Sequence, residues 1–297
     1  MQPLVIKLQG GLGNQLFQYA FGLSVSKKLN AALYFDLSFY KQNHGLVPRA
    51  FALDIFTGGV NIASHNLVSS FLTPGLVQKI LNKTGISKKS IYRENSLRFN
   101  NDVFNVKPTA YFEGFWQSEQ YFGDIEQAVR HAFTFKAPLN PQSQTIANKL
   151  AGEAGSVSVH IRRGDYVISK TTSELHGICN ESYYKSAITL IKEKVSHPRF
   201  YFFSDDPEWV KQQLLPATDN ATLINHNTDT DSWQDMALMS KCKHHIIANS
   251  SFSWWGAWLN PGNQKIVIAP RNWFNNETAY FDATDLVPDG WIRLAND

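Results

Sequence analysis

This chain is short of cysteine, of long apolar runs and of charge of either sign in blocks. Its two cysteines, Cys179 and Cys242, make no disulfide framework; they could pair, but a reducing compartment fits such usage better. No apolar stretch approaches the roughly 18 residues that span a bilayer, so no transmembrane segment is expected. The start, MQPLVIKLQGG, enters a strand pattern at once; with no cationic region ahead of an apolar run, it does not read as a secretion signal. The formal net charge is only +3 and no basic tract occurs, which argues against a general nucleic-acid binder. Any bound anion has to meet local cations instead. No internal repeat or low-complexity tract interrupts the chain.

What is present is a large apolar fraction. With 297 residues and 43% hydrophobic content, the chain can bury a sizeable core, more naturally as two packed domains than as one. Leu4–Leu8 reads as a strand, Asn14–Leu29 as a helix with Leu16, Phe17, Ala20 and Phe21 inward and Asn30 as its stop, and Ala32–Asp36 as a second strand. Residues 40–110 mix short apolar pieces with Gly, Asn, Ser and Lys and show no period. From residue 155 the pattern is regular. SVSVHI, RFYFFS, ATLI, HHIIAN and KIVIA read as strands. Between them lie helices at Ser182–Val195, PEWVKQQLL, SWQDMALMSK and SFSWWGAWL. Strands alternating with helices predict doubly wound parallel sheets, and hence an α/β fold of two facing Rossmann-like domains. The expected division is 1–150 and 151–297, with Pro138–Pro141 as a linker.

Polar residues recur where strands end. Arg162, Arg163 and Asp165 follow one strand, Ser204, Asp205 and Asp206 the next, and Asn249, Ser250 and Ser251 another. The first strand runs into Gly10, Gly11, Gly13 and Asn14. Loop solubility accounts for one such edge; several together point to a shared site for an anionic, nucleotide-like ligand outside the carboxyl ends of the strands. An arginine presents a donor fork matched to phosphate oxygens. Ser250 and Ser251 precede a helix, whose free N–H groups favour phosphate. Asp235 either accepts from a guanine N1–H and amine or is a helix-surface charge.

Other signals are weaker. Gly11 and Gly13 have dinucleotide-fingerprint spacing and Asp36 ends the next strand, but Leu16 stands where the third glycine belongs, which counts against a nicotinamide oxidoreductase. Asp229–Asp231 resembles an acidic metal motif, and also an ordinary polar turn. His176, Cys179, Cys242, His244 and His245 lack a usual zinc spacing, so no metal site is expected. Arg163–Asp165 spells RGD but follows a buried strand, unlike an adhesion loop. Trp116, Trp254, Trp255 and Trp258 divide between sugar stacking and core, with Trp255 and Trp258 read as core. FEGFWQSEQYF (Phe112–Phe122) suits an amphipathic acceptor groove or an irregular domain junction.

Together, GGLGNQLFQYA (Gly10–Ala20), HIRRGDY (His160–Tyr166), FFSDDPEW (Phe202–Trp209) and ANSSFSWWGAWL (Ala248–Leu259) resemble the α-1,2-fucosyltransferase family of bacteria and animals, over nearly the whole chain. The resemblance implies the GT-B type of fold, with an acceptor-side domain (1–150) and a GDP-fucose-binding domain (151–297). It implies GDP-fucose as donor, inversion at the anomeric carbon, and no required metal or cofactor. It implies Arg162 on the β-phosphate, His160 and Asp235 near guanine, and Ser250, Ser251 and Phe252 on nucleotide and phosphate. Gly11, Gly13 and Asn14 form the first loop, with Asn14 facing the donor sugar. Asp205 is either near the nucleotide or a buttress, and Arg163 is either a phosphate ligand or tied to a carboxylate. For the general base, Asp165 comes first, with orientation of the arginines as its other role; Glu174, His176 and Glu181 are alternatives. His176 lies in LHGICNESYY (Leu175–Tyr184), expected near the acceptor, where animal relatives depart from the pattern. The acceptor implied is O2 of a terminal β-galactose on an oligosaccharide, lipid-linked or free. The setting expected is a bacterial cytoplasmic enzyme working on surface-glycan precursors (O-antigen or capsule) at the inner membrane face. Another nucleotide-sugar transferase and a non-catalytic glycan- or cell-binding module are the remaining alternatives.

Overall fold

The computed structural model describes residues 1–41, 49–73, 89–164, 177–275 and 282–296. They fall into two compact units, Met1–Lys136 with Asp282–Leu286, and Ala137–Phe281 with Val287–Asp297.

In the first unit, β1 (Pro3–Lys7) carries the fully buried Leu4, Val5 and Ile6. It runs through the Gly10–Gly11 turn into α1 (Leu12–Leu29), two residues earlier than the pattern predicts. Leu16, Phe17, Ala20 and Phe21 are fully buried, as expected, and Asn30 ends the helix in the left-handed conformation. α1 lies so close to the sheet that a Cβ on Gly22 would come within 2.7 Å of Ile6 Cγ1. β2 (Ala32–Asp36) follows. The aperiodic stretch after it holds α2 (His65–Leu72), capped by Ser64, and two short strands, β3 (Ser90–Arg93) and β4 (Ala110–Glu113). The strands make a parallel sheet in the order β2-β1-β4-β3. Phe71 of α2 packs on Val5 and Tyr111 over one face. α3 (Glu126–Ala132) closes the segment. Arg98 holds the returning residues 282–286 by bonds to Asp282 (3.0 Å) and Asp285 (2.7 Å).

The second unit opens with α4 (Pro141–Ala151). The stretch expected as a linker therefore starts a helix: Asn140 caps it by accepting from Ser143 N, and Pro141 takes the first turn, where its missing N–H costs nothing. Asn140 N also donates to Gln234 Oε1 at 2.8 Å, which fixes α4 to this unit and moves the division from residue 150 to 136. β5 (Ser156–Ile161) is buried at all six positions. Then come α5 (Glu181–Lys194), β6 (Arg199–Ser204), α6 (Pro207–Gln213), β7 (Ala221–Ile224), α7 (Trp233–Met239), β8 (His244–Ile246), α8 (Ser251–Trp258), β9 (Val267–Pro270) and β10 (Ile292–Leu294). The sheet is parallel, in the order β10-β9-β8-β5-β6-β7. Tyr183, Tyr184, Ala187, Ile188 and Ile191 of α5 pack on Val157, Val159, Phe200 and Phe202. Parallel strands buried on both faces read as near-continuous apolar runs; Phe200–Phe203 of β6 does, whereas β5 alternates Val157, Val159 and Ile161 with the buried Ser156, Ser158 and His160.

Both sheets are therefore Rossmann-like, and each has one place where strand order reverses. In the first it is β1/β4. In the second, β6 and β7 extend one way from β5 while β8, β9 and β10 extend the other, so the reversal is β5/β8. Ligands of open α/β sheets bind outside the carboxyl ends of the strands at that point.

Candidate active site

At the β5/β8 reversal the carboxyl ends deliver Arg162–Gly164 and Ala248–Ser251. Arg162 Nη1 meets Asp205 Oδ2 at 2.9 Å, and Asp205 Oδ1 accepts the Arg163 N–H at 2.8 Å. Asp205 stands just beyond β6, whose Ser204 pairs with Ile161, so sheet register brings the two motifs together. One carboxylate thus braces both the guanidinium and the backbone beyond it. A Cβ on Gly164 would lie 2.9 Å from Asp205 Oδ2, so glycine permits the approach. Asp205 is a buttress here. The Arg162 side chain remains 25% exposed. Arg163 is engaged differently. It bonds Asp206 (3.3 Å), and its guanidinium lies 4.4 Å from the Trp209 ring centre; Asp206 also caps α6 through Trp209 N. Arg163 is tied down, which was one of its two expected roles.

His160 is 6% exposed, and its Nδ1 has no hydrogen-bond partner among the described residues. Burial, and then the Arg162 charge, push its pKa down to about 3, so the ring is neutral. It lies 5.6 Å from the Phe252 ring. Ser250 begins α8 without a side-chain cap bond, and Ser253 turns its hydroxyl back onto Ala248 O and Ser250 O. Asn249 holds the loop by donating to Trp273 O (3.2 Å) and Gly177 O (3.4 Å). Trp254, Trp255 and Trp258 pack together in the core behind it.

Asp235, on α7, accepts from Asn227 Nδ2 at 2.7 Å. Asn227 in turn accepts from Asn140 and Ser143, both at 3.0 Å, and Ser143 Oγ contacts His226 Nε2 at 2.9 Å. Burial pushes Asp235 up to about 7, with the Asn227 bond opposing. It is a half-buried carboxylate held by a polar network, not a surface charge.

At the β1/β4 reversal the chemistry is different. Gly10 adopts φ +78°, and its carbonyl accepts from Gln15 Nε2 and Tyr40 OH, both at 3.1 Å. Arg49 lies alongside Gly11, and Gly13 is buried within α1. Asn14 Oδ1 accepts from Gln117 Nε2 at 2.8 Å. Gln18 accepts from Gln9 N and donates to Gly114 O, each at 3.0 Å, joining the loops after β1 and β4. Glu94, just past β3, accepts from Phe115 N (2.6 Å) and Trp116 N (3.0 Å). Burial pushes Glu94 up to about 7 against those two bonds. Lys7 and Arg93 both pair with Glu113.

The structure places the residues behind the weaker signals as follows. Leu16 is fully buried in α1 and the close helix–strand approach falls at Gly22, so the glycine loop does not complete a dinucleotide fingerprint. Asp36 is occupied by Tyr111 OH (2.7 Å) and Ser38 N (2.8 Å), not poised for a ribose. Asp229–Asp231 is one exposed 3-10 turn. Trp116 is 3% exposed and stacks on Phe21, so it packs in the core. His244 Nδ1 accepts from Ile266 N, and His245 bridges Ser158 and Asn260. Glu181 pairs with Lys185 on the surface of α5. Asp165, Glu174 and His176 lie outside the described residues. Asn227 and Glu94 had no local signal, since their partners Asn140, Ser143, Phe115 and Trp116 lie 20 or more residues away; Phe115 lies within the Phe112–Phe122 stretch already singled out.

Two parallel Rossmann-like units, each with its functional loops at a strand-order reversal, define the GT-B type of glycosyltransferase. The sequence matches glycosyl transferase family 11 over residues 3–295, and the chain belongs to that family. It is 36% identical to an alpha-1,2-colitosyltransferase of Escherichia coli, over 99% of both chains. It is 31% identical to the O-antigen biosynthesis glycosyltransferase WbnK of Escherichia coli, over 97% of this chain and 99% of that one. Human galactoside alpha-(1,2)-fucosyltransferase 1 is 27% identical over 52% of this chain and 44% of its own. The fold is shared with a FUT1 mutant of Arabidopsis thaliana solved in complex with GDP: TM-score 0.51 and 10% identity, covering 97% of this chain and 74% of that one. Among the described residues, no helix is long and apolar enough to cross a membrane.

Proposed function

We propose that this glycosyltransferase moves L-fucose from GDP-β-L-fucose to O2 of a terminal β-galactose, with inversion, during assembly of a surface glycan such as O-antigen. The observation that carries this is the β5/β8 reversal, where Arg162, braced by Asp205, shares the strand ends with the α8 N-terminus. A diphosphate matches that pairing of fixed cation and helix end. Asp235 serves guanine by accepting from N1–H and the exocyclic amine, with His160 and Phe252 beside the base. Ser250 and Ser251 line the phosphates. Gly11, Gly13 and Asn14 are the first unit's contribution to sugar binding.

The reaction is a single displacement. The acceptor oxygen bonds to the anomeric carbon as the bond to the β-phosphate oxygen breaks, and GDP leaves with the electron pair. Negative charge grows on the diphosphate, where Arg162 and the α8 amides stand preorganised; this is the largest kind of catalytic effect. They take the part a divalent cation would otherwise play, so turnover is expected to survive chelation. The acceptor's proton goes to a base. Asp165 remains our first assignment, ahead of Glu174 and His176, and Asp165→Asn separates base from buttress: slow transfer with intact GDP binding marks the base. The O-antigen biosynthesis relative supports work on surface-glycan precursors; the cytoplasmic face of the inner membrane is the setting we assign to it.

A second donor is favoured by one relative. Colitose is a fucose lacking one hydroxyl, and the colitosyltransferase matches this chain end to end. The deciding experiment measures GDP release from GDP-fucose and GDP-colitose in excess EDTA, with and without lactose. Lactose-dependent release from GDP-fucose, with a fucosylated product, supports the proposal. Preference for GDP-colitose replaces the donor, and loss of turnover in EDTA overturns the metal-free mechanism.

A further inference from the structure

The loop after β4 is built around an uncommon backbone. Trp116 has φ +56°, a left-handed conformation that is rare and strained for a bulky residue. What holds it is Glu94, whose two carboxylate oxygens accept the successive N–H groups of Phe115 and Trp116. When the carboxylate is ionised, such bonds are about twice as strong as neutral ones. A Cβ on Gly114 would strike Glu94 Cβ at 2.5 Å, so only glycine lets the carboxylate in. The Trp116 ring is anchored inside, 4.2 Å from Phe21 in a stacked pair.

The result is that Phe115 points outward. It is 37% exposed, on a strut fixed at both ends. A lone exposed phenylalanine needs no explanation. One held out by a strained backbone and a dedicated, half-buried carboxylate does, because such strain persists where function uses it. Phe115 also stands at the β1/β4 reversal, two residues from Gln117, whose amide is bonded to Asn14. An aromatic face flanked by amides matches a pyranose, which shows C–H groups on one face and hydroxyls at its edge.

We propose that Phe115 is the aromatic platform of an acceptor-sugar subsite on the first unit, and that Glu94 is the positioning residue that sets it. This rests on the reading above that the acceptor is a glycan, and gives that acceptor a place.

The test follows Phe115→Ala, Phe115→Tyr and Glu94→Gln. Acceptor KM and kcat are measured with lactose, GDP affinity by calorimetry, and retention on an array of immobilised glycans with GDP present. Phe115→Ala is expected to raise acceptor KM about tenfold, the equivalent of one lost aromatic contact. Its kcat and GDP affinity change far less, and Phe115→Tyr restores the wild-type KM. Glu94→Gln keeps the shape but loses one acceptor, and raises acceptor KM several-fold without changing GDP affinity. Should Glu94→Gln fail to fold, the Phe115 variants, which alter an exposed side chain, keep the test intact. Wild-type KM and array retention in Phe115→Ala overturn the subsite, as does a wild-type protein that holds no glycan. If lactose is no acceptor but array glycans bind wild type and not Phe115→Ala, the galactoside reading fails and the subsite stands.

Discussion

The two units solve the same geometric problem with different chemistry. Each is a parallel sheet with loops gathered at one strand-order reversal. The second unit equips that point with Arg162 and Arg163, two aspartates that brace them and a helix N-terminus. The first equips it with a glycine turn and the amides of Asn14, Gln15, Gln18 and Gln117; its Lys7 and Arg93 are both committed to Glu113. A cation held by a carboxylate suits phosphate oxygens, while amides donate and accept equally and suit hydroxyls. The same architecture thus divides into a charged half and an amide-rich half, where Arg49 beside Gly11 and Glu94 are the charged groups; such a division suits the proposed transfer from a nucleotide to a sugar.

The sharpest way to break this comparison is Arg162→Ala. Loss of the fixed cation is expected to lower kcat on the order of 100-fold and to weaken GDP; full activity in a steady-state assay would remove the role assigned to the charged half. Asp205→Asn keeps the shape but loses the charge that braces Arg162 and the Arg163 N–H. A loss of roughly tenfold in rate is expected, the size of one hydrogen bond to a charged group; an unchanged rate would make the brace incidental. Asp235→Asn tests the base-recognition end. Because burial raises its pKa to about 7, the wild-type Asp235 contribution to stability is whole below its usual value near 3.8 and is lost as pH climbs through about 7. The variant should therefore melt higher than wild type at pH 8 but not at low pH. GDP affinity in the wild type should rise as the carboxylate ionises, whereas Asp235→Asn should be several-fold weaker at pH 8 and nearly flat with pH in calorimetric titrations. The smallest effect belongs to the amide-rich half's packing. Gly22→Ala crowds Ile6 at 2.7 Å; overpacking outweighs alanine's helix preference by about 1 kcal/mol. A lower melting temperature with unchanged GDP affinity is the expected result, and an unchanged melting temperature would mean that α1 relaxes freely.

The charged half was legible before any coordinates, because its signals are local. A buried run that ends in arginines, or a serine pair that opens a helix, places strand end, loop and side chain within a few residues. The bounds of α6 and α8 moved by two residues or fewer at either end. The amide-rich half was legible only in β1, α1 and β2. β3 and β4 have four residues each and make sense only beside β1; no period develops over so short a length. The linker expected at Pro138–Pro141 became the start of α4 because Asn140 finds partners in Asn227 and Gln234, far along the chain.

The sequence by itself determined the α/β alternation, the family motifs and the residue types at each strand end, since these depend on neighbours along the chain. Only the tertiary structure decided which of them act together. That Asp205 braces Arg162, that Asp235 sits half-buried in a network, that Asp36 is structural, and that Glu94 fixes Trp116 all follow from which elements lie side by side. Strand order is set by burial of both sheet faces, an energy summed over the whole fold and carried by no single segment.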